Sequence, residues 1–263
     1  MKSAVYISSI RGTEVIIDAD LEESFGIYGR IFWNEITQGD YENATFDFID
    51  FCREQGTQHF YDIGTATGCM ALYASIKGMS VIGIEPQDKV HECLMRNLEL
   101  NPTISKNISI HKALLVSETG LIKDFFTEGA NGPLEKLDNS IKTISLQELT
   151  RHTSSIDKPA FKIDIEGAEY PLLSSVQNLL LLKELKATVY LSFHPGFTSP
   201  YPENNSIFAK IVWRIKLVKE TVKLIRKLKR YAEISVLNYG SDLNTQQVMS
   251  MLKKDHKDFL LRF

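Results

Sequence analysis

The chain has 263 residues, 43% of them apolar and 24% charged, with a formal charge of −3 at pH 7. That length suits one α/β domain with some decoration, or two small domains, and it buries a core without disulfide or metal staples. The charge balance excludes a global electrostatic case for nucleic-acid or membrane binding. The three scattered cysteines, Cys52, Cys69 and Cys93, form no CxxC or Cys/His metal spacing.

Sparse thiols fit a reducing compartment and buried free cysteines, so the expected location is the cytoplasm. A short apolar stretch, Ala4 to Ile10, is interrupted by Arg11-Gly12, and no small-residue cleavage pattern follows. No signal peptide and no transmembrane segment are expected.

In chain order, Val5–Ile10 and Glu14–Asp18 read as strands around a turn at Arg11-Gly12. Tyr28–Glu42 is mixed and aromatic, and Thr45–Glu54 reads as a helix stopped by Gly56. An alternation follows: strand Phe60–Ile63, helix Thr67–Ile76, strand Ser80–Ile84, helix Lys89–Leu100 and strand Ile108–Leu114. The stretch 120–140 is polar, with Gly-Ala-Asn-Gly-Pro at its centre, and reads as loop. Ile144–Leu149 carries a short helix, Ala160–Ile165 a strand and Glu169–Leu182 a helix with Pro171 in its first turn. The last part reads as strand Thr188–Phe193, long helix Ile207–Tyr231, strand Glu233–Leu237, helix Thr245–Lys254 and strand Phe259–Phe263.

Alternating strands and helices imply a mostly parallel sheet covered on both faces, a Rossmann-like α/β fold. The last strand arrives with no helix after it, and such a strand enters a sheet antiparallel near an edge. The expected division is an N-terminal extension over residues 1–44 and a main domain over 45–263, with no internal repeat.

The first strand of the alternating unit runs into Asp62-Ile63-Gly64-Thr65-Ala66-Thr67-Gly68, and the second into Ile84-Glu85-Pro86. Ligands of open α/β sheets bind at the carboxyl ends of such strands. Gly64 permits close approach and a sharp turn, and the small Ala66 and Gly68 let the next helix start tight against a ligand. Glu85, 23 positions after Asp62, can accept both ribose hydroxyls of an adenosine. A dinucleotide site would show GxGxxG, with amides facing a pyrophosphate. The spacing here is D-x-G-x-x-x-G. A carboxylate before the turn repels phosphate and suits an ammonium or sulfonium. An isolated glycine pair is a weak signal, but Asp62, the spacing and Glu85-Pro86 together point to S-adenosylmethionine.

With these residues in view, the sequence resembles the FkbM family of class I S-adenosylmethionine-dependent methyltransferases. The resemblance is carried by Tyr61 to Gly68, Gly83 to Pro86, Asn97-Leu98-Glu99-Leu100-Asn101 and Lys112-Ala113-Leu114. Most specific is Phe161-Lys162-Ile163-Asp164-Ile165-Glu166-Gly167-Ala168-Glu169, with Leu172-Leu173 behind it; the match runs from about Gly39 to His194. It implies a seven-stranded sheet with an antiparallel last strand. It implies that Asp62, Gly64, Thr65, Ala66 and Gly68 line the methionine part of the cofactor, and that Glu85-Pro86 holds the ribose. Ala113 and Leu114 would lie near the adenine, and Asp164 would border the methyl donor. The chain departs from the family's pattern at Thr65-Ala66-Thr67, at Ser145-Leu146-Gln147 and at Ser192-Phe193-His194-Pro195.

Methyl transfer to a hydroxyl needs alignment and a base. His194, after the fifth strand, is the candidate base, since an unperturbed imidazole titrates near neutrality; its bland reading is a hydrogen-bonded rim histidine. Asp164, Glu166 and Glu169 lie within six residues. They read as a base, a hydrogen bond to the donor, or oxygen ligands of a divalent metal. Acidic stabilisation of a helix N-terminus competes for Glu166 and Glu169. No second ligand cluster stands out, so no metal is predicted. Glu42 reads either as a residue facing the cofactor or as a helix cap.

The segment Ile207–Tyr231 holds nine cations against Glu220 alone, a net of +8 that leaves −11 on the rest of the chain. Ile207, Ile211, Ile215, Val218, Val222 and Ile225 form an apolar stripe along it. It reads as a sheet-covering helix with a solvated basic face, or as a surface for an anionic acceptor or an anionic membrane. Poor aromatic interleaving argues against nucleic acid. The expected activity is methyl transfer from S-adenosylmethionine, and the resemblance implies a small-molecule or glycan hydroxyl as acceptor. The alternatives are a nicotinamide-dependent oxidoreductase and a binding module that keeps the fold without chemistry.

Overall fold

The computed structural model describes residues 5–19, 28–117, 142–165, 168–194, 206–237, 241–254 and 257–263. Two compact units emerge, residues 1–114 with 159–162, and residues 115–158 with 163–263.

The first unit runs β1 (Val5–Ile10), β2 (Thr13–Asp18), α1 (Tyr28–Gln38), α2 (Asn43–Glu54), β3 (His59–Ile63), α3 (Cys69–Ile76), β4 (Ser80–Ile84), α4 (Asp88–Leu100), α5 (Pro102–Ser105) and β5 (Ile108–His111). From Leu114 on come β6 (Leu114–Val116), β7 (Thr143–Ser145), α6 (Leu146–Leu149), β8 (Ala160–Ile163), α7 (Glu169–Ser174), α8 (Val176–Glu184), β9 (Thr188–Ser192), α9 (Ile207–Leu228), β10 (Glu233–Ser235), α10 (Thr245–Leu252) and β11 (Asp258–Arg262). The main sheet has seven strands in the order β10-β11-β9-β8-β3-β4-β5. Strands β3, β4 and β5 pair in parallel, whereas β11 is antiparallel to both β9 and β10. This is the Rossmann-like α/β architecture with the antiparallel last strand that the sequence led us to expect. Strand order reverses between β3 and β8, the topological switch point where ligands of open α/β sheets bind.

Within the first unit, α3 is buried from Cys69 through Ser75, as a helix apolar on all sides must be. Helix α4 buries Val90, Cys93, Leu94, Asn97 and Leu98, the i, i+3, i+4, i+7, i+8 stripe of an amphipathic helix. Two members of the Asn97-to-Asn101 run have a structural role. The Asn101 side chain accepts from the Ile16 amide at 2.9 Å and donates to its carbonyl at 2.7 Å, an amide standing in for a neighbouring strand. Fully buried Asn97 accepts from the Asp18 amide at 3.0 Å and donates to the Thr67 carbonyl at 3.0 Å. It thereby joins β2 to the glycine turn. At the hairpin tip, Arg11 bonds Asp47 at 2.5 Å and Asp50 at 3.0 Å, both on α2. Cys52, Cys69 and Cys93 are buried thiols, and burial pushes the Cys69 thiol up, leaving it a poor nucleophile.

In the second unit, α6 opens on a reciprocal capping box between Ser145 and Glu148, and α10 on one between Asn244 and Gln247.

The mixed, aromatic stretch Tyr28–Glu42 contains a helix from Tyr28 to Gln38 that sinks Trp33 completely, in keeping with a hairpin and helical extension at the N-terminus. Three expectations need correction. Ile108–Leu114 is not one strand, because β5 ends at His111 and Leu114 begins a separate two-stranded pairing with β7. Thr143–Ser145 is strand, leaving only Leu146–Leu149 helical. The helix expected over Glu169–Leu182 breaks at Ser175, whose backbone is extended (ψ 123°) and whose hydroxyl caps α8 by accepting from the Asn178 amide. Serine offers the backbone this alternative to continuing a helix. The expected loop over 120–140 lies outside the described residues.

Candidate functional site

The glycine turn sits at the carboxyl end of β3, in the first unit. Gly64 (φ 83°) and Gly68 (φ 95°) occupy left-handed backbone, and a Cβ on Gly68 would stand 2.6 Å from the Leu94 side chain. Ala66 is also left-handed (φ 48°), a conformation that costs a residue with a Cβ about 1–2 kcal/mol.

That strain is held by neighbours. The Gly64 and Thr65 amides both donate to the Ile84 carbonyl, and the Gly68 amide donates to Thr65. The Ala66 amide donates to Glu85 Oε2 at 3.1 Å. The Thr65 hydroxyl donates to the Asp62 carbonyl at 2.8 Å and leans on β4 where Gly83 leaves room: a Cβ there would meet Thr65 Oγ1 at 2.6 Å. Four amides of the turn are therefore engaged inside the protein, and they do not form a cradle aimed at an anion.

Glu85 follows β4 and is 6% exposed. Its second oxygen, Oε1, accepts from the Gln87 amide at 2.9 Å. A carboxylate has about four lone-pair positions, so each oxygen keeps one for a further donor. Burial pushes the Glu85 carboxyl up to about 7, against the pull of these two amides and of Lys162. Pro86 continues the turn after it. Ala113 and Leu114 are both buried, just past β5.

Asp62 is fully buried on β3, and Lys162, on β8, brings its ammonium to 3.7 Å from Asp62 Oδ1. The same ammonium donates to the Gly64 carbonyl at 3.0 Å. One position earlier on each strand, and so on the opposite face of the sheet, Tyr61 and Phe161 stack at 4.5 Å, nearly parallel. The sequence reading used Lys162 only as part of a motif. A lysine inside a fully buried strand is the signal it passed over, because a buried ammonium requires partners. The pairing also changes the role of Asp62: with a cation against it, its repulsion of a pyrophosphate is weaker than that of an isolated carboxylate. The internally engaged amides of the turn now supply that discrimination.

The second unit holds a different cluster. Glu169, in the first turn of α7, is wholly buried. Its Oε1 accepts from the His194 backbone amide at 2.7 Å and lies 3.1 Å from His194 Nδ1. His194 Nε2 is 3.7 Å from Asp164 Oδ1. The histidine and Asp164 side chains keep partial access to solvent, 18% and 27%. A carboxylate that accepts from Nδ1–H selects the tautomer in which Nε2 carries the lone pair. From sequence Glu169 reads equally as a helix-terminal acid and as a functional carboxylate; its pairing with a histidine 25 positions away has no local signal there. Glu166 lies outside the described residues. Glu42 takes the N-cap position of α2 and accepts from the Thr45 hydroxyl at 2.5 Å. Among the described residues, no group of three His, Cys, Asp or Glu side chains could hold a metal ion.

No family model and no curated protein matches this chain. Solved structures similar to it include a candidate O-methyltransferase from Klebsiella pneumoniae, 10% identical, with 85% of this chain and 81% of that one covered and a TM-score of 0.42. The SAH-bound methyltransferase PaMTH1 of Podospora anserina is 11% identical over 94% of this chain and 88% of that one, at a TM-score of 0.44. Monomeric WbdD is 14% identical over 70% of this chain and 37% of that one, at 0.39. At these identities and scores the likeness carries nothing about the site, which rests on its own geometry.

Proposed function

We propose that this protein is an S-adenosylmethionine-dependent methyltransferase acting on a hydroxyl of a small molecule or glycan, as the FkbM resemblance implies. One observation carries the reading. The turn after β3 engages its own amides internally, while the buried Glu85 beside it keeps acceptor capacity on both oxygens. That arrangement suits the two ribose hydroxyls of an adenosine and gives a pyrophosphate no amide cradle. A nicotinamide dinucleotide is correspondingly disfavoured.

When bound, the cofactor supplies a methyl group on a sulfonium, activated for in-line displacement. The protein's own residues then have distinct tasks. Glu85 accepts the ribose hydroxyls, which favours its ionised form, with Pro86 shaping the backbone beside it. Asp62, Gly64, Thr65, Ala66 and Gly68 line the methionine part, and Lys162 fixes the Gly64 carbonyl that shapes it. Ala113 and Leu114 face the adenine. His194 Nε2 takes the proton of the acceptor hydroxyl, Glu169 orients the imidazole, and Asp164 stabilises the imidazolium that forms. Residues 1–44 are an extension ahead of the domain that does this chemistry, and no helix among the described residues is long and apolar enough to cross a membrane.

Calorimetry with S-adenosylmethionine and, separately, with NAD tests the reading. Binding of the former and none of the latter is expected; a folded protein with no affinity for S-adenosylmethionine sinks it. Screening hydroxylated acceptors with methyl-labelled cofactor then tests His194→Ala. The expected loss in kcat is about 100-fold or more, the scale of a general base. An unchanged kcat removes His194 from the chemistry.

A further inference from the structure

Helix α9 changes character halfway along. Its C-terminal half is packed: Thr221, Leu224, Ile225 and Leu228 are buried, and the Thr221 hydroxyl meets the Tyr170 hydroxyl on α7 at 2.9 Å. Between Ile207 and Glu220 no residue is buried. That half nevertheless exposes six large apolar side chains: Ile207 79%, Phe208 76%, Ile211 50%, Val212 49%, Ile215 49% and Val218 46%. At 3.6 residues per turn these positions fall within an arc of about 140°. A solvated helix face has no reason to carry them, and scattered exposure does not produce one contiguous stripe.

Cations border the stripe on both sides. On the same projection Arg214 lies at one edge, and Lys219 and Lys223 lie within or just beyond the other. The helix as a whole carries seven cations and a single glutamate, in a chain whose total is −3. Lys223 is 3.9 Å from that glutamate, Glu220, and both are well exposed, a geometry in which a surface pair holds little of the charge.

We infer that the N-terminal half of α9 is an interfacial anchor that lies on an anionic lipid bilayer, with the Ile207–Val218 stripe inserted and the bordering lysines and arginines at the headgroups. An apolar arc of this width bounded by long cationic side chains is what a surface-lying helix requires, since lysine and arginine stems follow the apolar side chains while their charges stay with the phosphates. A second copy docked stripe against stripe is a poor occupant, because Arg214, Lys219 and Lys223 of each copy would face those of the other. The cationic borders favour an anionic surface over a neutral one. The inference does not depend on the methyltransferase reading.

Vesicle co-sedimentation of the full chain tests it, using phosphatidylcholine vesicles with and without about 30 mol% phosphatidylserine. Binding to the anionic vesicles is expected, falling at least tenfold on neutral vesicles and in high salt. The double variant Ile211→Glu/Ile215→Glu should lose binding at least tenfold. Arg214→Glu and Lys219→Glu should each lose about fivefold or more, the factor expected per cation near such a surface. Both positions are exposed, and unchanged circular dichroism and thermal midpoint verify that the fold persists. Absence of wild-type binding to anionic vesicles overturns the inference. So does binding that the double variant retains, or self-association in light scattering that the double variant abolishes without any lipid binding.

Discussion

The two clusters of polar side chains in this protein are built in opposite ways. Around the glycine turn, backbone groups do most of the work: Glu85 is gripped by two amides, Lys162 by a carbonyl, and the turn's own amides by β4. Around His194, side chains carry the arrangement, with one buried carboxylate holding both the imidazole and its backbone amide. The first construction fixes geometry through covalent continuity and tolerates little change of residue type. The second rests chiefly on the Glu169 pairing, so one substitution should loosen the histidine while leaving the chain folded.

The largest effect is expected at Lys162. Removing one partner of a buried charge pair leaves the other charge uncompensated and typically costs about 3–5 kcal/mol. Lys162→Met should lower the unfolding free energy by about that amount in urea titration, since the ammonium serves both Asp62 and the Gly64 carbonyl. A loss below about 1 kcal/mol would mean that the turn stands without its cation, and the contrast between the two clusters would fail.

Glu85 comes next, and its effect depends on pH. Its folded carboxyl titrates near 7, raised by burial from an ordinary 4.5. Between these values the folded protein holds a proton that the unfolded chain releases, so stability falls as pH rises through that window. The full difference is of order 3 kcal/mol. It should appear as a pH-dependent gap between wild type and Glu85→Gln, wide above pH 7 and closed toward pH 4.5. Ribose hydroxyls donate to the ionised form, so S-adenosylmethionine should bind about tenfold more tightly at pH 8 than at pH 6, with proton release. Glu85→Gln should flatten that dependence and weaken binding by about 1–3 kcal/mol at pH 8. Flat wild-type affinity across pH would remove Glu85 from the ribose.

At His194 the expected stability change is smaller. Glu169→Ala leaves the His194 amide without its carboxylate, at about 1–3 kcal/mol. More telling is the imidazole itself: nitrogen chemical shifts should report a proton fixed on Nδ1 in the wild type and a tautomer mixture in the variant. A mixture already present in the wild type would deny Glu169 its orienting part.

This difference in construction also explains what was legible in the sequence. The alternation of strands and helices, the antiparallel last strand and the turn between Asp62 and Gly68 come from local pattern: apolar period, closely spaced glycines, a carboxylate ending a strand. Most of their boundaries hold to within a residue or two, but Ile108–Leu114 ends three residues early, at His111. What escaped depends on residues distant in sequence. Lys162 reaches Gly64 across 98 positions, and Glu169 meets His194 across 25. The break at Ser175 escaped for a different reason, because a serine that caps and a serine that continues a helix look alike until the next turn is placed. Asn97 and Asn101 were visible as a motif but not as links, since nothing local says that a helix will offer its amides to β2.

Those two asparagines give the smallest effect and the finest distinction. Ile16 is partly exposed, at 39%, so water can replace the Asn101 amide when it is removed. Asn101→Ala should therefore cost only about 1 kcal/mol. Asn101 bonds the amide and carbonyl of Ile16 and the Asn97 carbonyl one turn back, so the loss should stay near β2 and the end of α4: faster hydrogen exchange at the Ile16 amide by about fivefold, with S-adenosylmethionine affinity unchanged. Asn97→Ala differs in kind. Its side chain is fully buried and bonds the Thr67 carbonyl inside the turn as well as β2, so both hairpin protection and cofactor affinity should fall. If both variants leave affinity alone, the hairpin and the glycine turn are independent structures. If only Asn97→Ala lowers it, the N-terminal hairpin reaches the candidate cofactor site through one buried amide.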